Sequence, residues 1–256
     1  MAEPTLEELH DFAVEIAWEA GRGTLSCFQA GVVAEQKGDG TPVTKADRDA
    51  EALLRRRIRE RFPHDGLLGE EYGEEPGKTG RTWILDPIDG TKSFVHGVPL
   101  YSMLIGVAVE GVSRAGVIFL PALGEMCSAF HGGGCRLNGR RVTVRETGSL
   151  AEATICSSDL PLDPAEPVHA LFRGAKLRRT WGDGYGYLLL ASGRADLMVD
   201  PRLSIWDLAA LIPVIEEAGG VITDFEGRPG LQGKSAIAAA PAVHREAIAL
   251  LNQNPR

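Results

Sequence analysis

Two carboxylates that follow a short apolar run in the first half of the chain could bind metal. The run, Trp83–Leu85, predicts a buried strand, and the residues after it are Asp86-Pro87-Ile88-Asp89-Gly90-Thr91. Carboxylate oxygens are the ligands that hard cations such as Mg²⁺ take, and N–H groups at the start of a helix bind phosphate. Because Asp, Pro and Gly also form ordinary turns, this segment alone leaves a metal-dependent phosphate site and a polar turn equally open.

Further acidic residues stand at the edges of apolar segments elsewhere in the chain. Glu70 and Glu71 follow an apolar pair, and Asp47 and Asp207 each lie three residues after a Thr or Ser. The second spacing also fits a helix capping box, and the two glutamates could be solvated loop residues. Taken together, the acids favour one shared site over several separate turns.

The order of these motifs resembles that of the inositol monophosphatase superfamily over roughly residues 37–224. The family pattern is a Lys, Val-Thr-x-x-Asp, Gly-Glu-Glu, Asp-Pro-Ile-Asp-Gly-Thr and a late Trp-Asp. Phosphatases of the haloacid dehalogenase type use Asp-x-Asp-Gly-Thr with the first Asp as nucleophile, but Pro87 takes that position here. The residues that carry the resemblance are Lys37, Val43 to Asp47, Gly69-Glu70-Glu71, Asp86 to Thr91 and Trp206-Asp207.

The resemblance implies two or three Mg²⁺ ions bound by carboxylates. Glu70, Asp86 and the backbone carbonyl of Ile88 would hold one ion. Asp86, Asp89 and Asp207 would hold a second, so that Asp86 bridges the two, and a third ion would bind more weakly on Glu70. Electrostatics supports such a site, because two carboxylates about 4 Å apart repel by about 4 kcal/mol at an effective dielectric of about 20. Four of them in one pocket need cations to stay ionised at neutral pH.

The resemblance also implies that metal-activated water is the nucleophile and that no residue becomes phosphorylated. The expected catalytic residues are Asp47, Glu70 and Thr91. In this scheme the Thr91 hydroxyl, paired with Asp47, orients the water and passes on its proton. Asp89 and the backbone N–H groups of Gly90 and Thr91 are expected to bind the phosphate group.

Two departures from the usual inositol phosphatase pattern bear on the substrate. Lys92-Ser93-Phe94 stands in place of Thr-Asn-Phe, and Gly182-Asp183-Gly184 stands where Gly-Ser-Ala is usual. Both resemble the histidinol-phosphate phosphatase branch of the superfamily, as does the segment 94–101. Asp183 and Asp200 are expected to attract the ammonium and imidazole groups of histidinol phosphate. Asp183 could instead cap the helix that follows it.

Other functions stay open at the level of the sequence. Inositol 1-phosphate or a broad range of sugar phosphates is the first alternative substrate, and a nucleotide such as phosphoadenosine phosphate or NADP is the second. A non-catalytic Mg²⁺- or Ca²⁺-binding protein is the alternative from a different class. Such a protein has no use for a paired Asp47 and Thr91.

The resemblance implies a small phosphorylated metabolite as the partner, and composition disfavours other classes of partner. The formal net charge of -8 disfavours a nucleic-acid surface, and the basic cluster at residues 55–61 is expected to be a solvated helix face. The sequence has no run of about 18 apolar residues and no secretory signal, so we expect no membrane partner and a cytoplasmic location. The expected assembly is a homodimer.

The hydrophobic pattern predicts a strand-rich first half and an alternating second half, which corresponds to the α+β or α/β class with two sheets. The resemblance implies a layered α-β-α-β-α sandwich of the inositol monophosphatase and fructose-1,6-bisphosphatase type. We expect one compact catalytic unit, with most metal ligands in residues 1–145 and with Asp207 and the substrate contacts in residues 146–256. The predicted strands are 83–85, 101–110, 115–121, 126–131, 141–144, 153–157, 177–180, 196–199, 221–224 and 236–240, and the predicted helices begin near 6, 47, 165, 184, 205 and 241.

Overall fold

The computed structural model describes residues 3–31, 34–36, 42–161, 163 and 166–252, so Lys37 lies outside the described residues. The helices are α1 (Leu6–Thr24), α2 (Lys45–Arg61), α3 (Thr91–Val95), α4 (Pro167–Gly174), α5 (Asp183–Ala191), α6 (Ile205–Glu217) and α7 (Pro241–Asn252). The strands of the first half are β1 (Glu35–Gln36), β2 (Pro42–Val43), β3 (Gly66–Gly69), β4 (Gly73–Glu75), β5 (Arg81–Asp89), β6 (Ser102–Val109), β7 (Val112–Leu120), β8 (Glu125–Phe130), β9 (Arg136–Leu137) and β10 (Arg140–Arg141). Those of the second half are β11 (Thr154–Cys156), β12 (Leu177–Arg179), β13 (Leu197–Asp200), β14 (Val221–Thr223) and β15 (Ala236–Ala239).

Two large sheets and three pairs of helices form five alternating layers, and β1 and β2 form a separate two-stranded sheet. The larger sheet has eight strands in the order β10-β9-β8-β7-β6-β5-β3-β4, and the smaller has five in the order β12-β11-β13-β15-β14. Helices α1 and α2 cover the outer face of the larger sheet, α5 and α6 lie between the sheets, and α4 and α7 cover the smaller sheet. The predicted layered sandwich is therefore confirmed.

Helix α6 lies unusually close to the larger sheet because two strand positions have no side chain. A Cβ at Gly106 of β6 would stand 2.5 Å from the Cβ of Ala209, and one at Gly116 of β7 would stand 2.2 Å from the carbonyl oxygen of Ala210. These distances are far inside van der Waals contact, so the approach depends on glycine. The close packing fixes the start of α6, which carries Asp207, against the sheet that carries Asp86.

The observed helices and strands match the predicted ones in type better than in length. Strand β5 extends over Arg81–Asp89, well beyond the predicted 83–85, because the acidic segment continues the strand through a bulge instead of leaving it as a turn. The hairpin around Asn138 is present as β9–β10, but the predicted strand 141–144 is wrong beyond Arg141. The larger sheet uses residues 66–141 and the smaller one residues 154–239, while the division at 145 and 146 stays a prediction.

The basic cluster on α2 is a solvated face only in part. Arg56, Arg59 and Arg61 are exposed, whereas Arg55 has only 2% of its surface exposed. Arg55 can be buried because Glu51, one helical turn earlier, is also buried and accepts a hydrogen bond from its Nε at 2.7 Å. The prediction of a solvated face is therefore wrong at Arg55, and Arg57 is half-buried.

Candidate active site

Parallel pairing of β3 with β5 brings the first two predicted ligands side by side. Gly69 is the partner of Leu85 in the register, so the residues that follow, Glu70 after the end of β3 and Asp86 within β5, lie side by side. The backbone N–H of Glu70 donates to the carbonyl oxygen of Leu85 at 3.2 Å, which extends the pairing to the glutamate. Neighbouring strands are about 4.8 Å apart, close enough for two carboxylates to share a cation.

A bulge in β5 separates Asp86 from Asp89. The pairing with β6 is regular up to Asp86, is interrupted at Pro87 and Ile88, and resumes at Asp89. Proline has no N–H group to donate to the neighbouring strand, which makes a bulge a natural place for it. The freed N–H of Ile88 donates to the carboxylate of Asp86 at 3.1 Å, so the bulge itself orients the first carboxylate.

Three carboxylates from two distant parts of the chain meet at this edge. One oxygen from each of Asp86, Asp89 and Asp207 lies within 4.8 Å of the other two. Asp207 also accepts a hydrogen bond from the backbone N–H of Ser204 at 2.7 Å, and thus takes part in capping α6. Asp207 can therefore both cap α6 and bind metal, because capping uses one carboxylate oxygen and keeps the side chain in the acidic cluster.

Burial and mutual repulsion disfavour the charged form of these acids. The pKa of Asp86 is raised well above its usual value by burial and by the charges of Glu70, Asp89 and Asp207. Burial, with Asp183 and Asp207, raises the pKa of Asp89 in the same direction, and burial raises the pKa of Asp207 to about 6. A close set of oxygen donors that resists ionisation on its own fits a divalent cation, whose charge would favour the carboxylate form of every member.

Two groups that the sequence did not point to hold Asp89 in place. The hydroxyl of Ser102, at the start of β6, donates to its Oδ2 at 2.6 Å, and the backbone N–H of Gly184 donates to the same oxygen at 2.5 Å. A Cβ at Gly184 would stand 2.3 Å from the Ser102 Oγ and 2.9 Å from Asp89 Oδ2. Only glycine therefore lets the first turn of α5 reach Asp89. The second Gly in Gly182-Asp183-Gly184 was the one available sequence signal.

Asp47 lies at the start of α2 and has a free acceptor atom. Its Oδ2 accepts hydrogen bonds from the backbone N–H of Thr44 at 2.8 Å and from the hydroxyl of Thr44 at 2.6 Å, so the predicted capping box is present. Its Oδ1 is buried and has no hydrogen-bond partner among the residues that the structure describes. Burial raises the pKa of this carboxyl to about 6. Such an orphaned oxygen marks a place where a donor is missing.

The predicted pair between Asp47 and Thr91 is not formed in the structure. The Thr91 hydroxyl donates instead to the carbonyl oxygen of Ile88 at 3.0 Å, the same oxygen that was predicted to bind metal. Ala46 packs in one cluster with Ile88 and Phe94, which brings the start of α2 against the segment that contains Thr91. The two side chains therefore lie on adjoining segments. The Thr91 hydroxyl donates to Ile88, and the Oδ1 of Asp47 accepts no hydrogen bond from a described residue.

Asp183 lies over the turn that was predicted to bind phosphate. Gly90 has a φ of 79°, and a Cβ on it would stand 2.8 Å from Asp183 Oδ2. Gly182 occupies the N-cap position of α5, so the alternative role of Asp183 as a helix cap is wrong. Burial and the charge of Asp200 raise the pKa of Asp183 to about 6.

Asp200 is buried and lies close enough to Asp183 for its charge to raise the pKa of Asp183. Its two oxygens accept hydrogen bonds from the backbone N–H of Ser158 and from the hydroxyl of Tyr187, each at 3.0 Å. Ser158 connects the two acids, because its Oγ accepts the N–H of Asp183 at 2.9 Å. A cleft of about 680 Å³ lies at the carboxyl ends of β11, β12 and β13, and both Ser158 and Asp200 line it.

The chain resembles known phosphatases over nearly its whole length. The sequence model of the inositol monophosphatase family matches residues 5–256. A histidinol-phosphatase of Chlorobaculum parvum is 46% identical over 250 residues, which cover 95% of this chain and 96% of the relative. An inositol-1-monophosphatase of Rhizobium meliloti is 36% identical over 224 residues, which cover 84% of each chain. The solved structure of the extragenic suppressor protein suhB of Bartonella henselae superposes with a TM-score of 0.90 at 28% identity and covers 96% of this chain and 99% of that one.

The match to the family model spans the two layers of strands and every acidic residue of the site described above. The 46% identical relative covers 95% of the chain. None of the described helices is long and apolar enough to cross a membrane. An enzyme that hydrolyses phosphoric monoesters is consistent with the fold, with these relatives and with an acidic cluster that could bind a divalent metal. The chain is thus a phosphatase that belongs to the inositol monophosphatase family.

Proposed function

We propose that this protein is a Mg²⁺-dependent phosphatase that hydrolyses histidinol phosphate to histidinol and inorganic phosphate. The choice of substrate rests on the position of the Asp183 carboxylate next to Gly90, with the buried Asp200 close to Asp183. A phosphate ester seated at the Gly90 turn would present its other end to this acidic pair. Histidinol phosphate carries an ammonium and an imidazole, which the pair attracts, whereas inositol phosphate carries only hydroxyls there.

The ligands that we propose for two or three Mg²⁺ ions are Glu70, Asp86, Asp89, Asp207 and the carbonyl of Ile88. Bound there, Mg²⁺ supplies a coordinated water of lowered pKa and stabilises negative charge on the phosphate and on the leaving oxygen. Asp86 is central to this assignment because its pKa responds to Glu70, Asp89 and Asp207 together. The hydrogen bonds from Ser102 and Gly184 leave one oxygen of Asp89 free to face the cluster.

Thr91 and Asp47 are proposed to move the proton of the attacking water. When the Ile88 carbonyl serves as a ligand, the Thr91 hydroxyl can turn from it towards the free Oδ1 of Asp47. Thr91 then accepts from the water and donates to Asp47, which favours attack on phosphorus. The P–O ester bond breaks, the water oxygen stays with phosphate, and the leaving alkoxide takes a proton from solvent. Asp47 then returns the proton of the attacking water to solvent, so that the protons balance. The N–H groups of Gly90 and Thr91, at the start of α3, are proposed to hold the phosphate oxygens.

Release of inorganic phosphate with Mg²⁺, compared with the same reaction in EDTA, tests the enzymatic proposal against a non-catalytic metal-binding protein. Histidinol phosphate and inositol 1-phosphate should be compared in parallel, because one relative is named for each substrate type. We expect the higher kcat/KM with histidinol phosphate. A preference for inositol 1-phosphate would overturn the substrate assignment and leave the phosphatase assignment intact.

Asp183→Asn tests the residue that carries the substrate proposal. A charge-assisted hydrogen bond contributes about 1.5–3 kcal/mol, so we expect kcat/KM for histidinol phosphate to fall roughly 10- to 150-fold. The value for inositol 1-phosphate should change little. Asp159→Asn is a matched control, since Asp159 is an exposed acid at the cleft near Asp200. Equal losses on both substrates in Asp183→Asn would contradict a role in recognising the cation.

The cytoplasmic location and the homodimer are proposals that rest on the resemblance to the relatives described above. Light scattering coupled to gel filtration measures the mass of the assembly directly. A mass of one chain, 27.4 kDa, at working concentration would contradict the dimer.

A further inference from the structure

Glu51 and Arg55 form a buried ion pair on α2 and make hydrogen bonds to the segment that contains Glu70. The carboxylate of Glu51 is fully buried and accepts three hydrogen bonds. Its Oε2 accepts the backbone N–H of Glu71 at 2.8 Å, and its Oε1 accepts the backbone N–H of Tyr72 at 3.3 Å and the Nε of Arg55 at 2.7 Å. A side chain on one helix therefore bonds two consecutive backbone groups of the turn between β3 and β4.

Arg55 holds the far side of the same turn. Its Nη1 donates to the carboxylate of Glu75 at 2.9 Å, its Nη2 donates to the carbonyl oxygen of Gly73, and its guanidinium lies over the ring of Tyr72 at 5.8 Å. The planar guanidinium can make these bonds at once because its donors point in fixed directions. Glu51 and Arg55 together thus contact Glu71 and Tyr72 of the turn and Gly73 and Glu75 of β4.

Gly69 shows how closely Glu51 approaches the residue before Glu70. A Cβ at this position would stand 2.0 Å from Glu51 Oε1, which no side chain could accommodate. The glycine of the Gly-Glu-Glu motif therefore makes room for the buried carboxylate on α2. The same helix starts with Asp47, so α2 fixes two of the proposed catalytic residues relative to each other.

We infer that Glu51 and Arg55 are positioning residues, which hold the Glu70–Tyr72 turn in the geometry that metal binding requires. The inference rests on the proposed function, because Glu70 matters here as a metal ligand. Neither residue touches metal or substrate in this assignment. Their effect is to keep the turn ordered before an ion binds. Substitution of a group that orients a metal ligand typically lowers metal affinity or activity by about 10- to 100-fold.

Glu51→Gln should weaken binding of Mn²⁺, used as the probe for the site, by about tenfold in calorimetry with substrate-free protein. The activity should recover at high Mg²⁺, so that the Mg²⁺ concentration for half-maximal rate rises while kcat changes little. Asp65→Asn is the matched control, because Asp65 is a buried acid paired with Arg81 at the opposite end of β3. It should lower the melting temperature comparably and leave Mn²⁺ affinity unchanged.

The outcomes separate this inference from the proposed function. If the wild-type protein bound no Mn²⁺, the metal site itself would be wrong. If it bound Mn²⁺ and Glu51→Gln bound it equally well, or if Asp65→Asn lost as much affinity as Glu51→Gln, the positioning role would be wrong. Should Glu51→Gln fail to fold, hydrogen exchange in the wild-type protein decides: the amides of Glu71 and Tyr72 should be protected without metal, and exchange at the rate of free loops would refute the inference.

Discussion

Asp86 is the residue on which most interactions of the site converge. It is buried, it is oriented by the N–H of Ile88, and three neighbouring acids raise its pKa. A residue with one of these features would be an ordinary structural aspartate. The combination is what a carboxylate shared between cations requires, because only positive charge can keep so many adjacent acids ionised.

Asp86→Asn should be the most damaging single substitution at the site. We expect kcat/KM at fixed Mg²⁺ to fall at least about 100-fold, since changes one step removed from a metal already cost roughly 10- to 100-fold. The metal-free variant should melt no lower than the wild type, because the substitution removes a buried acid from a repulsive cluster. The exposed Asp11→Asn serves as the control and should keep full activity. Near-normal turnover in Asp86→Asn would disprove a bridging carboxylate.

Thr91→Ala should separate proton transfer from metal binding. The hydroxyl now bonds the Ile88 carbonyl, while no described residue donates to the buried Oδ1 of Asp47. We expect kcat to fall about 10²- to 10⁴-fold, the usual contribution of a positioned proton-transfer group, while Mn²⁺ affinity stays nearly constant. Thr91→Ser keeps the hydroxyl and should retain most of the activity. A loss seen only in KM would argue against this role.

At the scale of elements, the sequence predicted the kinds of helix and strand better than their ends. The acids of β5 look like a turn because Asp, Pro and Gly favour turns, yet the strand runs on through a bulge to Asp89. The β3–β4 hairpin was missed because its strands are short and Glu74-Glu75 carries no apolar alternation. The burial of Glu51 and Arg55 could not be predicted from the charged sequence of α2. It depends on the turn between β3 and β4, which packs against this part of the helix.

Gly184→Ala tests whether the start of α5 must approach β6 as closely as the structure has it. The added methyl group would overlap the Ser102 Oγ, so we expect a loss of about 1–3 kcal/mol of unfolding free energy and weaker Mn²⁺ binding through displacement of Asp89. Gly23→Ala in α1 is the matched control, because a Cβ there meets nothing within 4 Å. It should stabilise the protein by up to about 0.5–1 kcal/mol. Equal effects of the two substitutions in urea unfolding would show that the contact at Gly184 is not tight.

At the scale of the whole molecule, the site exists because residues distant in the sequence are brought together by layers. Asp207 reaches Asp86 only because α6 lies between the two sheets and packs against Gly106 and Gly116. The motif order pointed to a shared site, but the contacts of Ser102 and Gly184 with Asp89 could not be read from the sequence. Such contacts depend on how helices and strands pack, which local patterns do not specify.

The clustered acids should make the stability of the whole molecule depend on pH in opposite ways with and without metal. The pKa values of Asp47, Asp183 and Asp207 are raised to about 6, and burial with neighbouring acids also raises those of Asp86 and Asp89 well above their usual value. An acid whose pKa is raised on folding binds more protons in the folded state, so its contribution to the free energy of unfolding falls as pH rises from about 4 through the folded value. The metal-free protein should therefore lose stability from these groups between about pH 4 and pH 7.

Mg²⁺ should reverse that trend, because it binds the ionised acids and competes with their protons. At about 100 times its dissociation constant an ion adds about 2.7 kcal/mol, which for a chain of this size corresponds to roughly 5–10 °C in melting temperature. We expect this increase at pH 7.5 and a much smaller one at pH 5.5, where the acids are largely protonated. Differential scanning calorimetry at both pH values, with Mg²⁺ and with EDTA, measures the four melting temperatures. An equal effect of Mg²⁺ at the two pH values would mean that the ion does not bind at these carboxylates.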